Sequence, residues 1–327
     1  MAAAGALTLA ACAPVPQQAR AGGRPTIVSL NPCSDAILAE VADPAQIRAI
    51  SAYSRNPASS SMDLALARRL PVTSGSVEEL LALRPDVIVS GSFTSPATRQ
   101  ALAGLGLRLE ELPIATTLAE SEAQVMQLAR LAGHPERGAA LVARIEAALA
   151  VATPPAGQKP VSAVIWESGG IVAGRDTLIA DLLRRTGFTD YAAGQGLRQA
   201  DVLPLEKMIA APPQVILAAG NLHAQEDRLL AHPALARLTG TRRESLDPSL
   251  LWCGGPTIIR AAARLKAVRA STGSARAGSD GIEENRNSTG PRLSGTNRTS
   301  TSRIQTRKQT PLSLSLAKVT RNRAARS

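Results

Sequence analysis

Two stretches of this chain read alike: SVEELLALRPDVIVSG at 76–91 and LPLEKMIAAPPQVILAAG at 203–220. Each runs glutamate, six residues, proline, one residue, Val-Ile, with Glu78 before Pro85 and Glu206 before Pro213. In both places a short helix with a carboxylate in its first turn feeds a buried strand. The flanks correspond too. A hydrophobic strand opens each half, TIVSL at 26–30 and SAVIW at 162–166, and a small helix and strand follow each repeated phrase. Glu78 and Glu206 lie 128 positions apart. Solenoid repeats recur every ~20–50 residues, so this offset is that of a domain. The reading is a duplicated lobe.

Apolar periodicity outside the repeats gives an α/β alternation. Strands are expected near 26–30, 46–51, 86–90, 107–112, 161–166, 214–219 and 242–246. Helices are expected near 34–42, 62–70, 77–83, 96–104, 176–186, 204–211, 232–239 and 256–269. Strands alternating with helices imply parallel sheets. Residues 118–152 break the rhythm with two consecutive helical patterns. The first stops at Gly133 and the second starts with Pro135 in its first turn. At 1.5 Å per residue the second would be about 26 Å long, enough to pass from one lobe to the other. The expected fold is therefore α/β: two similar lobes with central parallel sheets, joined by one long connecting helix. The division is 1–24 export signal and linker, 25–117 first lobe, 118–152 connecting helices, 153–270 second lobe and 271–327 a basic tail.

The net charge of +11 is unevenly placed. Residues 271–327 hold eleven Lys/Arg against three Asp/Glu, which leaves +3 for the rest. A basic segment this poor in apolar residues is expected to be disordered, with a reading-frame artefact as the alternative. It lacks the interleaved aromatics of a single-strand binder and any recognised nucleic-acid module, so no specific nucleic-acid partner is expected. At the other end, MAAAGALTLAAC is too short to span a bilayer, which takes ~20 apolar residues. It reads as an export segment, although the basic start of a signal peptide is missing. Leu9-Ala10-Ala11-Cys12 resembles the bacterial lipobox, which makes Cys12 a lipidation candidate. Cleavage after Ala21 is the alternative, and either route places the protein outside the cytoplasm.

VSLNPCSDAILAEV at 28–41, SVEELLALRPDVIV, LPLEKMIAAPPQVIL and LLWCGGPTIIRAAARL at 250–265 occur in that order. Over about residues 25–270 they resemble the periplasmic substrate-binding proteins of ABC importers for cobalamin and ferric siderophores. The resemblance implies two lobes on a helical backbone, with a metal chelate captured in the cleft between them. It also implies an acidic residue on each lobe for docking arginines of a permease dimer that works with ATPase subunits. Glu78 and Glu206 match those positions. Ser76 and Glu79 have capping-box spacing, which would leave Glu78 pointing outward. Both glutamates also suit the helix macrodipole without any partner.

Only six aromatic residues occur. Four of them, Tyr53, Phe93, Trp166 and Trp252, follow predicted strands, and ligands of open α/β sheets bind beyond the strands' carboxyl ends. Flat rings suit a large, partly apolar ligand such as a corrin or a ferric chelate. Ser34, Ser54, Arg55, Thr94 and Glu167 are the polar candidates, and Cys33 lies in the same turns. Cys33 and Cys253 either pair in an oxidising compartment or stand as two small buried thiols. The three histidines, His134, His223 and His232, include none in the first lobe, which opposes a zinc or manganese receptor. No cofactor or metal site is expected. No nucleophile elbow, phosphate loop or zinc-protease motif is present, and Asp181, Asp201 and Glu167 are not paired at any defined spacing. An enzyme or sensor on the same two-lobe fold is the alternative.

Overall fold

The computed structural model describes residues 23–57, 59–220 and 232–283. Cys12, the cleavage sites, His223 and the chain beyond 283 lie outside the described residues. The first lobe comprises β1 (Ile27–Ser29), α1 (Pro32–Val41), β2 (Ile47–Ser51), α2 (Leu64–Arg69), β3 (Val72–Thr73), α3 (Val77–Leu83), β4 (Val87–Gly91), α4 (Pro96–Gly104) and β5 (Leu109–Leu112). Its sheet has the order β3-β2-β1-β4-β5, and every pairing is parallel.

The chain then enters α5 (Leu118–Ala132) and α6 (Pro135–Ala152). Thr117 and Glu120 close α5 with a reciprocal capping box, and Gly133 ends it in the left-handed conformation at φ 78°. Pro135 starts α6, whose 18 residues span about 27 Å.

The second lobe comprises β6 (Val161–Glu167), β7 (Ile171–Ala173), α7 (Leu178–Arg185), β8 (Phe188–Asp190), α8 (Tyr191–Gly194), β9 (Ala200–Val202), α9 (Leu205–Ala210), β10 (Val215–Ala219), α10 (Pro233–Ala236), β11 (Arg242–Ser245) and α11 (Thr257–Glu283). Its sheet order is β11-β10-β6-β7-β9, with β8 also on β6. The expectation of a wholly parallel sheet needs correcting here. β10–β11, β6–β10 and β6–β8 are parallel, while β7 is antiparallel to both β6 and β9. The reversal is a tight turn at Gly169 and Gly170, whose φ values of 74° and 83° suit glycine. α11 also runs past its expected end at 269. Drift toward serine, arginine and glycine is no stop signal in itself, and no proline occurs before Pro291.

Strand alternation divides the apolar residues between three cores. Val87, Val89, Ala163, Ile165, Val215 and Leu217 point to one side. Ile88, Val164, Trp166 and Ile216, at the intervening positions, point to the other. The first side joins a single core shared by both lobes, through Ile37 of α1, Val125 and Leu128 of α5, Leu141 and Ile145 of α6, and Ile258 and Leu265 of α11. The second side gives each lobe its own smaller core. Leu80 and Leu102 close it in the first lobe, and Met208 and Leu235 in the second.

Candidate functional site

The turns beyond β2 and β4 carry the exposed rings of the first lobe. Tyr53 sits in the 3-10 turn Ala52–Arg55 directly after β2 and is 67 % exposed, while Phe93 follows β4 and is 87 % exposed. A hollow of about 170 Å³ beside Tyr53 is lined by Leu30, Ser51, Ala52, Thr73 and Ser74. Trp252, 57 % exposed, reaches the same end of the sheet from more than two hundred residues away. It does so because its neighbour Cys253 is disulfide-bonded to Cys33 in the first turn of α1, with a Cα–Cα distance of 5.0 Å.

That return of the chain from β11 is pinned at several further points. Ser61 Oγ donates to Ser249 O at 2.9 Å, the Arg260 guanidinium to Ser61 O at 2.5 Å, and Gly255 N–H to Ser121 Oγ at 2.8 Å. Gly254 and Gly255 permit the close approach. A Cβ on Gly254 would collide with Ser121, and one on Gly255, at φ 58°, would come within 2.6 Å of Ile37 Cγ1. The Leu118 N–H also donates to Asp181 Oδ2 at 3.0 Å, tying the start of α5 to α7.

A buried polar layer lies beneath the Tyr53 turn. Asp35, fully buried on α1, accepts from Ser51 N–H at 2.9 Å and from Ser54 Oγ at 2.6 Å. Ser34 Oγ bonds Asn31 O at 2.9 Å and Ser29 Oγ at 2.8 Å. Burial pushes the Asp35 carboxyl from the usual 3.8 up to about 7, and its hydrogen bonds offset only part of that. Asp35 therefore fastens the loop that presents Tyr53 onto α1.

Several sequence expectations change here. Trp166 lies at 0 % exposure in the second lobe's own core and lines no crevice. Its place on β6 has the same parity as Val164, facing α8 and α9 rather than solvent. Ser34 and Ser54 are at 0 % exposure and engaged in the Asp35 layer, so they are supports and not ligand contacts. The Arg55 guanidinium is committed to Leu70 O at 2.6 Å and Ala67 O at 3.3 Å, the carbonyls that end α2. Cys33 holds the disulfide and offers no thiol. Thr94 and Glu167 remain half-exposed at the carboxyl ends of β4 and β6, and burial raises the Glu167 pKa.

The repeated glutamates stand on α3 and α9, both exposed. The expected capping box on α3 is only half made. Ser76 Oγ accepts from Glu79 N–H at 3.3 Å, but the Glu79 carboxylate turns to Thr73 Oγ1 at 2.5 Å and Ser74 N–H at 2.8 Å. His134 is buried between Asp43, at 3.0 Å, and Glu136, at 3.3 Å, and His232 caps α10. Among the described residues, no three His, Cys, Asp or Glu converge as metal ligands. A larger and more open hollow of about 580 Å³ lies between α5, α6 and α7, lined by Glu122, Glu146 and Arg185 among others. None of the exposed rings lines it, and its apolar residues come from the connecting helices, Leu118 and Ala119 of α5 and Leu149 and Ala150 of α6.

A family model described as periplasmic binding protein matches residues 27–244, two thirds of the chain. The chain belongs to the periplasmic binding protein family. Among solved structures, the haem-binding protein RhuT from Roseiflexus is 22 % identical, with 75 % of this chain and 97 % of that one covered at a TM-score of 0.59. A periplasmic haem-binding protein from Pseudomonas aeruginosa is 25 % identical over 75 % and 92 % of the two chains, also at 0.59. The vitamin B12-binding protein BtuF of Vibrio cholerae is 19 % identical over 74 % and 95 %, at 0.57. No curated protein sequence matches significantly. Among the described residues no helix of this periplasmic binding protein is long and apolar enough to cross a membrane.

Two predictions follow from the supports of the rim. Protonated Asp35 favours the fold, so its contribution is complete below about pH 4, declines as pH rises from the usual 3.8 toward about 7, and is absent above that. Urea midpoints measured from pH 5 to pH 8 should therefore fall more steeply for the wild type than for Asp35→Asn; parallel curves would reject the assignment. The disulfide closes a sequence separation of 220 residues, and removing it with Cys33→Ser/Cys253→Ser should cost ~2–5 kcal/mol. Iodide quenching should at the same time show a more accessible Trp252, while Trp166 stays shielded. Unchanged stability and quenching would show that hydrogen bonds alone pin the return segment.

Proposed function

We propose that this protein is the extracytoplasmic receptor of an ABC importer, which captures a metal chelate of the haem, corrinoid or ferric-siderophore class and passes it on without chemical change. One observation carries the reading. In a chain with six aromatic residues, the three exposed rings of Tyr53, Phe93 and Trp252 all belong to turns at the carboxyl ends of strands or are bonded to them. Such rings cover the faces of a flat, partly apolar ligand, and Thr94 and Glu167 supply polar contacts at the rim. The haem and vitamin B12 ligands named for the similar structures are of this kind.

Delivery uses Glu78 and Glu206, one on each lobe, as contacts for cationic side chains of the permease dimer. Complementary charge favours encounter and orientation. The export segment places the receptor in the periplasm, with lipidation of Cys12 as the tether to a membrane and signal cleavage as the alternative. The domain division proposed is an export signal and linker to 24, a first lobe over 25–117, connecting helices over 118–152, a second lobe over 153–270 and a basic tail over 271–327.

Intrinsic fluorescence tests the ligand class directly, because Trp252 is exposed and Trp166 is not. Titration with haem, cobalamin and a set of ferric siderophores should give saturable one-to-one quenching by at least one of them, with the ligand recovered unaltered. Trp252→Ala and Tyr53→Ala should each weaken that binding by about two- to twelvefold, as loss of an aromatic stacking contact of ~0.5–1.5 kcal/mol implies. Absence of quenching by every chelate, or release of a changed product, would reject the proposal.

A further inference from the structure

The repeated phrase is repeated in exposure as well as in letters. Aligned on their glutamates, residues 77–82 and 205–210 both run half-buried, exposed, exposed, buried, exposed, exposed. The buried positions are Leu80 and Met208, at 0 % exposure. The positions after them are Leu81 and Ile209, 42 % and 37 % exposed, where a polar residue would be expected. Each stands three residues beyond Glu78 or Glu206 and so shares that glutamate's helix face. In both lobes the helix also follows an edge strand, β3 or β9. Each of those strands bears another exposed valine: Val72 at 36 % and Val202 at 63 %.

Single exposed apolar residues are ordinary. Leu81 and Ile209 recur at one register in two lobes, whereas Val72 and Val202 stand six and four residues before their glutamates. Between them, the neighbouring positions have diverged, with Glu79 replaced by Lys207 and Leu80 by Met208. The acid is identical in the two lobes and an exposed aliphatic side chain follows it three residues on, while the charge beside the acid reverses from Glu79 to Lys207. Of the eleven large apolar side chains exposed among the described residues, four lie in these two short strand–helix units and three are the crevice rings.

We infer that Leu81 and Ile209 are the apolar anchors of the docking surface. The partner that fits is a membrane permease of two like subunits, each offering a cationic side chain beside an apolar hollow. Two like patches on one chain match a partner whose twofold symmetry presents the same site twice. The labour is divided by physics. The exposed carboxylates act at range and are screened by salt, so they govern encounter. The aliphatic side chains act only on contact, so they govern how long the complex lasts. The inference rests on the importer-receptor reading above.

The test measures association of the full-length, ligand-free receptor with its permease–ATPase complex in nanodiscs, at low and high sodium chloride. Leu81→Ser/Ile209→Ser should raise the dissociation rate by about tenfold or more at both salt concentrations with little change in association rate. Glu78→Gln/Glu206→Gln should slow association at low salt and flatten its salt dependence. Each single aliphatic substitution should give a comparable part of the effect, with thermal midpoints unchanged because all four side chains are exposed. A dissociation rate within twofold of wild type for the aliphatic pair, with the glutamate pair still impaired, overturns this inference and leaves the docking reading standing. Failure of the wild type to bind, or indifference to both pairs, overturns the docking reading itself. If the aliphatic pair instead abolishes a receptor dimer seen by sedimentation, or binding to protein-free nanodiscs, the surface belongs to that contact and the permease assignment is wrong.

Discussion

The rest of the structure depends on burial of the inward face of both sheets in one apolar core. β1 and β4 of the first lobe, and β6 and β10 of the second, send alternate residues into it, and α1, α5, α6 and α11 fill the space between. Core interiors are close-packed and respond to small volume changes, so neither lobe can swing away without opening contacts that the other also needs. Among the described residues the chain passes outward through α5–α6, returns to the first lobe through the Trp252–Cys253 segment, and is bonded to the second lobe again along α11, by Arg264 to Ser245 O and Arg269 to Gly187 O. Large hinge closure of the kind flexible linkers permit is disfavoured by that arrangement. Turns held at the edge of such a body are largely fixed in place, and a preformed surface reduces the ordering cost of any binding it supports.

Two devices convert this rigidity into a fixed rim. The Cys33–Cys253 bond and the glycine pair behind it set Trp252 beside the first turn of α1. Asp35, buried under the turn, sets Tyr53 by holding Ser51 and Ser54. Both are costly choices locally, since a buried carboxyl and a left-handed Gly255 each oppose folding on their own. Their common effect is to keep large rings exposed at defined places, where an unsupported loop would fold them inward.

How much of this was legible depended on the length of the signal. Seven strands and the α5–α6 break were readable from apolar runs, and the paired phrases revealed the duplication. β3, β7, β8 and β9 were not, because two or three residues carry no period; β1 is as short but lies within the apolar run TIVSL. Trp166 was misread because nearness to a strand's end says nothing of which face a side chain takes. Its parity with Val164, set against Ala163 and Ile165, was the available clue. Ser34 and Ser54 looked like free loop hydroxyls because the acid that engages Ser54 lies 19 residues away. Asp35 itself stands in the first turn of α1, where the helix dipole favours any carboxylate, so its sequence position does not mark it as buried. The commitment of Arg55 to the end of α2 was invisible for the same reason, since its acceptors are backbone carbonyls 12 and 15 residues on.

Differential scanning calorimetry of the folded chain tests the shared core most directly. One transition, with calorimetric and van't Hoff enthalpies in agreement, is the predicted result, because melting of either lobe opens the larger core that both share and leaves the other only its small outer cluster. Two separable transitions, one for each lobe, would contradict it.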